Sequence, residues 1–223
     1  MQEKPEKRIK PITIVILSII GFILVYYVID LMYAHYYTVI SKNSNLYFST
    51  NDLLVEDLTL WQKDALLKVE DPNFYGHCGF DLKTPGAGIT TISQACVKFI
   101  YFKKFTQGLK KIRQTLIAAV VFDNVFTKDE ILRIFLNHAY LGSIDGKSIR
   151  GFKNAAIAFY GKPFSQLTEK EYLSLVAVLI KPCYYNILTN KANNDERVSR
   201  IEALIDGRYQ PKGLNDLLYD KNL

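Results

Sequence analysis

The stretch VEDPNFYGHCGFD, residues 69–81, sets two carboxylates side by side, Glu70 and Asp71. Pro72, Phe74, His77, two glycines and Asp81 follow at once. GITTISQACVK, residues 88–98, then brings Thr90, Thr91, Ser93, Gln94 and Lys98. Acids next to hydroxyls and amides suit a sugar, because a carboxylate can take a hydroxyl proton while neighbouring polar groups orient the ring. From Lys98 to Arg113 lie six basic residues (Lys98, Lys103, Lys104, Lys110, Lys111, Arg113) and no acid. That block equals the whole net charge of +6. It calls for an anionic partner: a phosphate, a nucleic acid or an acidic lipid headgroup.

Helices must position these groups. Val55, Leu58, Trp61, Ala65 and Val69 make one helical stripe that Pro72 stops, so Glu70 falls in a last turn. There the helix dipole disfavours a carboxylate and raises its pKa. GITTISQACVKFIYF predicts a second helix with glycine and threonines at its start, and LKKIRQTLIAAVVF a third with Leu109, Ile112, Leu116 and Val120 inward. Thr127 with Glu130, and Thr168 with Glu171, are capping boxes. They open DEILRIFLNHAYL, ended at Gly142, and EYLSLVAVLI, stopped by Pro182, with GFKNAAIAFYG a shorter helix between them. The runs 143–151 and 189–197 read as loops, and Val198 to Ile205 as the last helix. Asn137 and His138 fall on a buried-looking helix and suit core hydrogen bonding. No convincing strand alternation, repeat or low-complexity tract is present, so the fold class is mainly α.

Composition adds a membrane. Of 223 residues 49% are apolar, with 15 Tyr and 13 Phe to pack a core. Ile12 to Ile29 is an uncharged apolar run that spans ~27 Å as a helix, close to a ~30 Å hydrocarbon layer. A signal peptide would need a shorter run and a small-residue cleavage site, which DLMYAHYYTV does not offer. Lys4, Lys7, Arg8 and Lys10 outnumber Glu3 and Glu6 ahead of it, which places the N-terminus in the cytoplasm and the rest outside. Nucleic acid is thereby excluded as the anionic partner. Cys78, Cys96 and Cys183 form no disulfide or zinc pattern and read as small buried apolar residues. Three histidines are too few for a multi-histidine metal site.

With these residues in place, EDPNFYGHCGFD resembles the E-D-x-x-F-x-x-H-x-G-x-D signature of the peptidoglycan glycosyltransferases, the lysozyme-like family 51. It keeps Glu70, Asp71, Phe74, His77, Gly79 and Asp81. GITTISQACVK is similar to the family's G-x-S-T-I-T-Q-Q-x-x-K, KKIRQ (110–114) to its R-K-x-x-E, and ILRIFLNHAYLG to its I-L-x-x-Y-L-N-x-x-Y-F-G. ERVSRI resembles its Arg-rich closing motif.

The resemblance implies polymerisation of lipid II into glycan strands by inverting transfer. Glu70 would be the general base on the acceptor GlcNAc 4-hydroxyl. Lys98, Lys110 and Lys111 would face the diphosphate, and Asp71, Phe74, His77, Asp81, Thr90, Thr91 and Gln94 would be the other substrate-binding positions, with His77 a turn-stabilising partner and Asp81 either a loop partner or a ligand. A divalent cation such as Mg2+ or Mn2+ assists members of this family. The implied organisation is a cytoplasmic tail (1–10), a transmembrane anchor (11–33), a lysozyme-like domain (45–205) and a C-terminal tail (206–223), of the monofunctional type. The domain would lie on the periplasmic side of a bacterial inner membrane. Partners would be lipid II, the growing strand, the membrane and other cell-wall synthesis proteins.

Three departures stand out. The second family glutamate, also catalytic, is Gln114, which cannot carry a proton. The segment between Asp81 and Gly88 is only LKTPGA, shorter than the family's covering stretch. Ala95, Phe99 and Thr106 replace further polar family positions. Gln114→Glu is therefore expected to raise a weak activity. The rival reading is a catalytically impaired relative that binds lipid II or an assembly partner. A glycan-cleaving lysozyme-like enzyme would leave the basic block without a purpose.

Overall fold

The computed structural model describes residues 10–106 and 108–219. Lys4, Lys7 and Arg8, which carry the orientation argument, lie outside the described residues. Nine helices and one hairpin appear among the described residues. Helix α1 (Pro11–Asn43) is long and apolar enough to cross a membrane. It does not stop near Tyr33. Past Asp30 its pattern becomes one-sided, and Ala34, Thr38 and Ser41 are buried against the domain. These small residues recur at near-helical spacing, which lets the two backbones approach closely. Arg113 pairs with Asp30, and Lys42 Nζ donates to Glu130 Oε2 at 2.7 Å and to the Val125 carbonyl at 2.8 Å.

A 3-10 turn (Val55–Asp57) precedes α2 (Leu60–Glu70), which Thr59 and Gln62 open as a capping box. The single stripe expected from Val55 onward is therefore broken at Leu58. Helix α3 (Ile92–Tyr101) is capped by Thr91. Helix α4 (Leu109–Ile117) runs on through a π-helical stretch, Ala118–Phe122, into the short α5 (Asp123–Val125). The expected inward face is wrong here. Leu109, Ile112 and Val120 are exposed, while Gln114, Ile117, Ala118, Val121 and Phe122 are buried. Two apolar faces compete in this segment, and the wider π turn shifts the phase between them.

Helix α6 (Lys128–His138) and α8 (Glu169–Val178) start at the two capping boxes, and α7 (Phe152–Tyr160) lies between them. Seven consecutive residues of α8, Tyr172 to Val178, are buried, so it runs through the middle of the core. The same buried core takes in Leu66, Cys96, Ile117, Phe122, Ile131 and Leu204. Asn137 does bond within the fold, exchanging hydrogen bonds of 2.9 Å with the backbone of Leu53.

Run 143–151 is not a loop. Strands β1 (Tyr140–Ile144) and β2 (Lys147–Arg150) pair antiparallel around Asp145 and Gly146, whose φ values of 50° and 76° suit a tight hairpin turn. Nor is the run 189–197. Helix α9 (Lys191–Ile205) begins there, because Asn194 and Arg197 face inward rather than into water. Asn194 Nδ2 donates to the carbonyls of Ser174 and Tyr185. Of the cysteines only Cys96 is buried; Cys78 and Cys183 are exposed. The stretch after Asp206 also packs on the domain, with Tyr219 wholly buried.

Candidate active site

Glu70 is the last residue of α2, and its partly buried side chain lines a cavity of about 430 Å³. Thr90, Thr91, Lys98, Tyr140, Arg197 and Leu217 share the wall. Burial pushes the Glu70 carboxyl up to about 7; the Asp71 carboxylate adds to the rise and Arg197 opposes it. Such a group sits near the optimum for a general base at neutral pH. The sequence pointed to the helix dipole; burial is the larger cause.

The residues after Glu70 build the frame that holds it. Asp71 is fully buried, with Oδ1 bonded to His77 Nε2 at 2.8 Å and Oδ2 accepting from the Ile92 N–H at 2.9 Å. It thus ties the end of α2 to the start of α3. Thr91 repeats the tie, accepting from the Gln94 N–H and donating to the Gly79 carbonyl at 2.7 Å. Gly79 has φ 78°, and a Cβ there would stand 2.5 Å from the Ala118 carbonyl oxygen. Only glycine lets this loop lie against the π turn. Asp81 accepts from Asn73 Nδ2, the N–H groups of Lys83 and Thr84, and Thr84 Oγ1, which holds its carboxyl well below the usual range. Phe74 is 1% exposed, with the Lys128 ammonium 4.8 Å from its ring centroid. Asp71, Phe74, His77 and Asp81 are absent from the cavity lining, and the bonds they make lie within the frame of the loop.

The basic block divides. Lys98 stands on the cavity wall. Lys111 Nζ donates to Thr90 Oγ1 at 2.8 Å and Gln94 Oε1 at 2.7 Å; burial and the Lys98 charge lower its pKa to about 8. Lys98, Lys111 and Thr90 therefore make one cationic, hydroxyl-bearing corner. Lys110 is exposed and donates to the Lys104 carbonyl, away from that corner. Arg113 is taken up by Asp30.

Gln114 does not stand beside these cations in the cavity. It is 1% exposed, Nε2 donates to the Gln94 carbonyl at 2.6 Å, and Oε1 has no partner. Gln94, 2% exposed, carries both this bond and the one from Lys111. A divalent cation finds no donor set: among the described residues no three His, Cys, Asp or Glu groups are placed to share a metal. The amide of Gln114 turns its nitrogen to a carbonyl, and among the described residues Glu70 is the single carboxylate on the cavity wall. These residues do not fit a carboxylate-held metal.

Sequence reasoning missed Arg197, Tyr140 and Leu217 as members of the site. For Arg197 a signal existed, a charged residue on the apolar face of ERVSRI. For Leu217 none did.

A family profile described as Transglycosylase matches residues 44–205. Penicillin-binding protein 1B of Buchnera aphidicola (subsp. Acyrthosiphon pisum) is 32% identical over 139 residues, covering 56% of this chain and 18% of that protein. Penicillin-binding protein 1B of Escherichia coli K12 is 28% identical over 170 residues, 70% of this chain and 20% of its own. Penicillin-binding protein 1F of Bacillus subtilis 168 is 25% identical over 232 residues, 91% of this chain and 32% of its own. The chain spans about a fifth to a third of the length of these relatives. The matched region holds Glu70, Lys98, Lys111 and Arg197 together, and the chain belongs to the transglycosylase family, the lysozyme-like peptidoglycan glycosyltransferases.

Proposed function

We propose that the protein polymerises lipid II into glycan strands by inverting glycosyl transfer. The observation that carries this reading is Glu70, held up to about 7 on the wall of the same cavity as Lys98. In that reading Glu70, ionised, takes the proton of the acceptor GlcNAc 4-hydroxyl. The oxygen attacks C1 of the donor MurNAc from the face opposite the diphosphate, the C1–O bond breaks, and undecaprenyl diphosphate leaves. Inversion follows from a single displacement at C1. Negative charge grows on the departing diphosphate, where Lys98 and Lys111 offer fixed cations in a partly dry corner. Thr90, bonded to Lys111, orients that ammonium.

Helix α1 supports an anchored enzyme working beside the bilayer that holds its lipid-linked substrate. The basic residues ahead of it favour a domain on the periplasmic side of a bacterial inner membrane. The growing strand and other cell-wall synthesis proteins are the further partners this reading implies.

A specific observation favours a second reading. Gln114 is sealed under α3 and offers no carboxylate to the donor side. A lipid II binder with little turnover would tolerate this. Lipid II turnover by the detergent-purified protein, with Glu70→Gln as the blank, decides. Glycan product that vanishes in the blank supports the polymerase. A folded protein that binds lipid II and makes no product supports the binder.

A further inference from the structure

Residues Gly207 to Tyr219 form a strap along the edge of the cavity. The Gly86 N–H donates to the Gly213 carbonyl at 2.9 Å and the Gly88 N–H to the Leu214 carbonyl at 2.7 Å. Both glycines have positive φ and meet the strap closely. A Cβ on Gly86 would lie 2.8 Å from Pro211 Cγ, and one on Gly88 3.1 Å from Leu217 Cδ2. The strap is pinned at its far end, where Arg200 Nη1 donates to the Leu218 carbonyl at 2.7 Å and the Tyr219 hydroxyl to the Val69 carbonyl at 3.1 Å. Val69 directly precedes Glu70.

The strap touches the chemistry at two points. Leu217 and Asn215 stand on the cavity wall with Glu70. The ring of Tyr219 lies 4.4 Å from the Arg197 guanidinium carbon, and Arg197 is 2% exposed with Nε and Nη1 lacking hydrogen-bond partners. A guanidinium short of polar partners owes much of its seat to the aromatic face beneath it. The segment before α3 is short, and the strap fills the place beside it.

We infer that the strap is a positioning element of the glycosyl site: Leu217 and Asn215 wall the sugar-binding cavity, and Tyr219 seats Arg197 behind Glu70. The inference deepens the proposed polymerase and rests on it for the identity of the sugar. The charged and titratable groups facing Glu70 are Asp71 beside it, Lys98 on α3, Tyr140 on β1, Arg197 on α9 and Tyr219 on the strap. Of the two charges that act most on Glu70, Asp71 is locked by His77 and the Ile92 N–H, whereas Arg197 depends on the strap.

The test uses the full-length protein in detergent and two readouts. One is the Glu70 titration by carbon-13 carboxyl NMR, assigned by Glu70→Gln; the other is lipid II turnover against pH. Tyr219→Leu is expected to raise the Glu70 midpoint by about half a pH unit, as Arg197 loses its seat. Tyr219→Phe keeps the ring under Arg197 but loses the hydroxyl bond to the Val69 carbonyl, and is expected to move the midpoint less than Tyr219→Leu does. Leu217→Ala is expected to raise KM for lipid II several-fold with kcat held. A Tyr219→Leu protein that melts earlier with an unmoved Glu70 midpoint would reduce the strap to a structural clasp and overturn the inference. Should Tyr219→Leu not fold, Leu217→Ala decides, and an unchanged KM and lipid II affinity overturns it. A wild-type protein without turnover whose Glu70 midpoint still moves in Tyr219→Leu would sink the polymerase while leaving the strap's role intact.

Discussion

Arg113 holds Asp30 through two parallel hydrogen bonds, Nε to Oδ2 at 2.7 Å and Nη2 to Oδ1 at 2.8 Å. One residue belongs to the membrane-type helix and the other to the helix that carries Lys111. The basic block thus spends one of its cations on joining anchor to domain. Arg113→Lys keeps the charge and loses the fork, and should cost about 1–2 kcal/mol, read as a lower melting temperature in detergent. Asp30→Asn should cost a similar amount, and the double variant less than the sum. Strictly additive losses would mean that the two residues stabilise the protein independently.

The site should work in a narrow pH window. Glu70 must be ionised to take a proton, and its carboxyl sits at about 7. Lys111 must be protonated to face a diphosphate, and its ammonium sits at about 8. The kcat/KM for lipid II should therefore rise through about 7 and fall above about 8. Lys111→Arg should flatten the alkaline limb and spare the acid limb, since guanidinium stays charged. An alkaline limb unmoved by that change would assign it to another group.

The sequence made Glu70 visible because helix periodicity, Pro72 and the acid pair all fall in one short stretch. The two capping boxes were equally local, and the structure contains both. What escaped depended on distant contacts. Asn194 and Arg197 look like loop residues until Ser174, Tyr185 and Tyr219 enclose them. The buried face of α4 is decided by a π turn that no simple periodicity anticipates. The Asp145–Gly146 pair did carry a hairpin signal, set between strands too short to show alternation. The segment that carries Leu217 to the cavity is held by backbone bonds from Gly86 to Gly213 and from Gly88 to Leu214, which leave no mark on side-chain pattern.

Glu70 should weaken the fold it serves. Its folded value of about 7 lies above the free value of 4.5, so the native state holds a proton that the unfolded chain has released between them. This group's contribution is intact below pH 4.5 and is lost as pH rises through about 7. Glu70→Gln removes the charge and keeps the shape. It should abolish polymerisation while raising stability above pH 7 by on the order of 1–3 kcal/mol. Thermal melts at pH 4.5 and 8 check this; a gain of equal size at both would point to packing rather than charge.

Gln114→Glu looked from the sequence like a repair, and the geometry reverses that expectation. Gln114 Nε2 donates to the Gln94 carbonyl at 2.6 Å inside the protein. A carboxylate placed there would set oxygen against oxygen. Protonated, it keeps the bond but carries no charge to the donor side. Ionised, it leaves a buried acceptor facing another and costs about 1–3 kcal/mol. Turnover should be no higher than in the wild type at pH 6 or pH 8, and the melting temperature should fall further at pH 8 than at pH 6. Higher turnover with an unchanged melt at pH 8 would show that the new carboxylate swings to Lys111, and the repair would then be real.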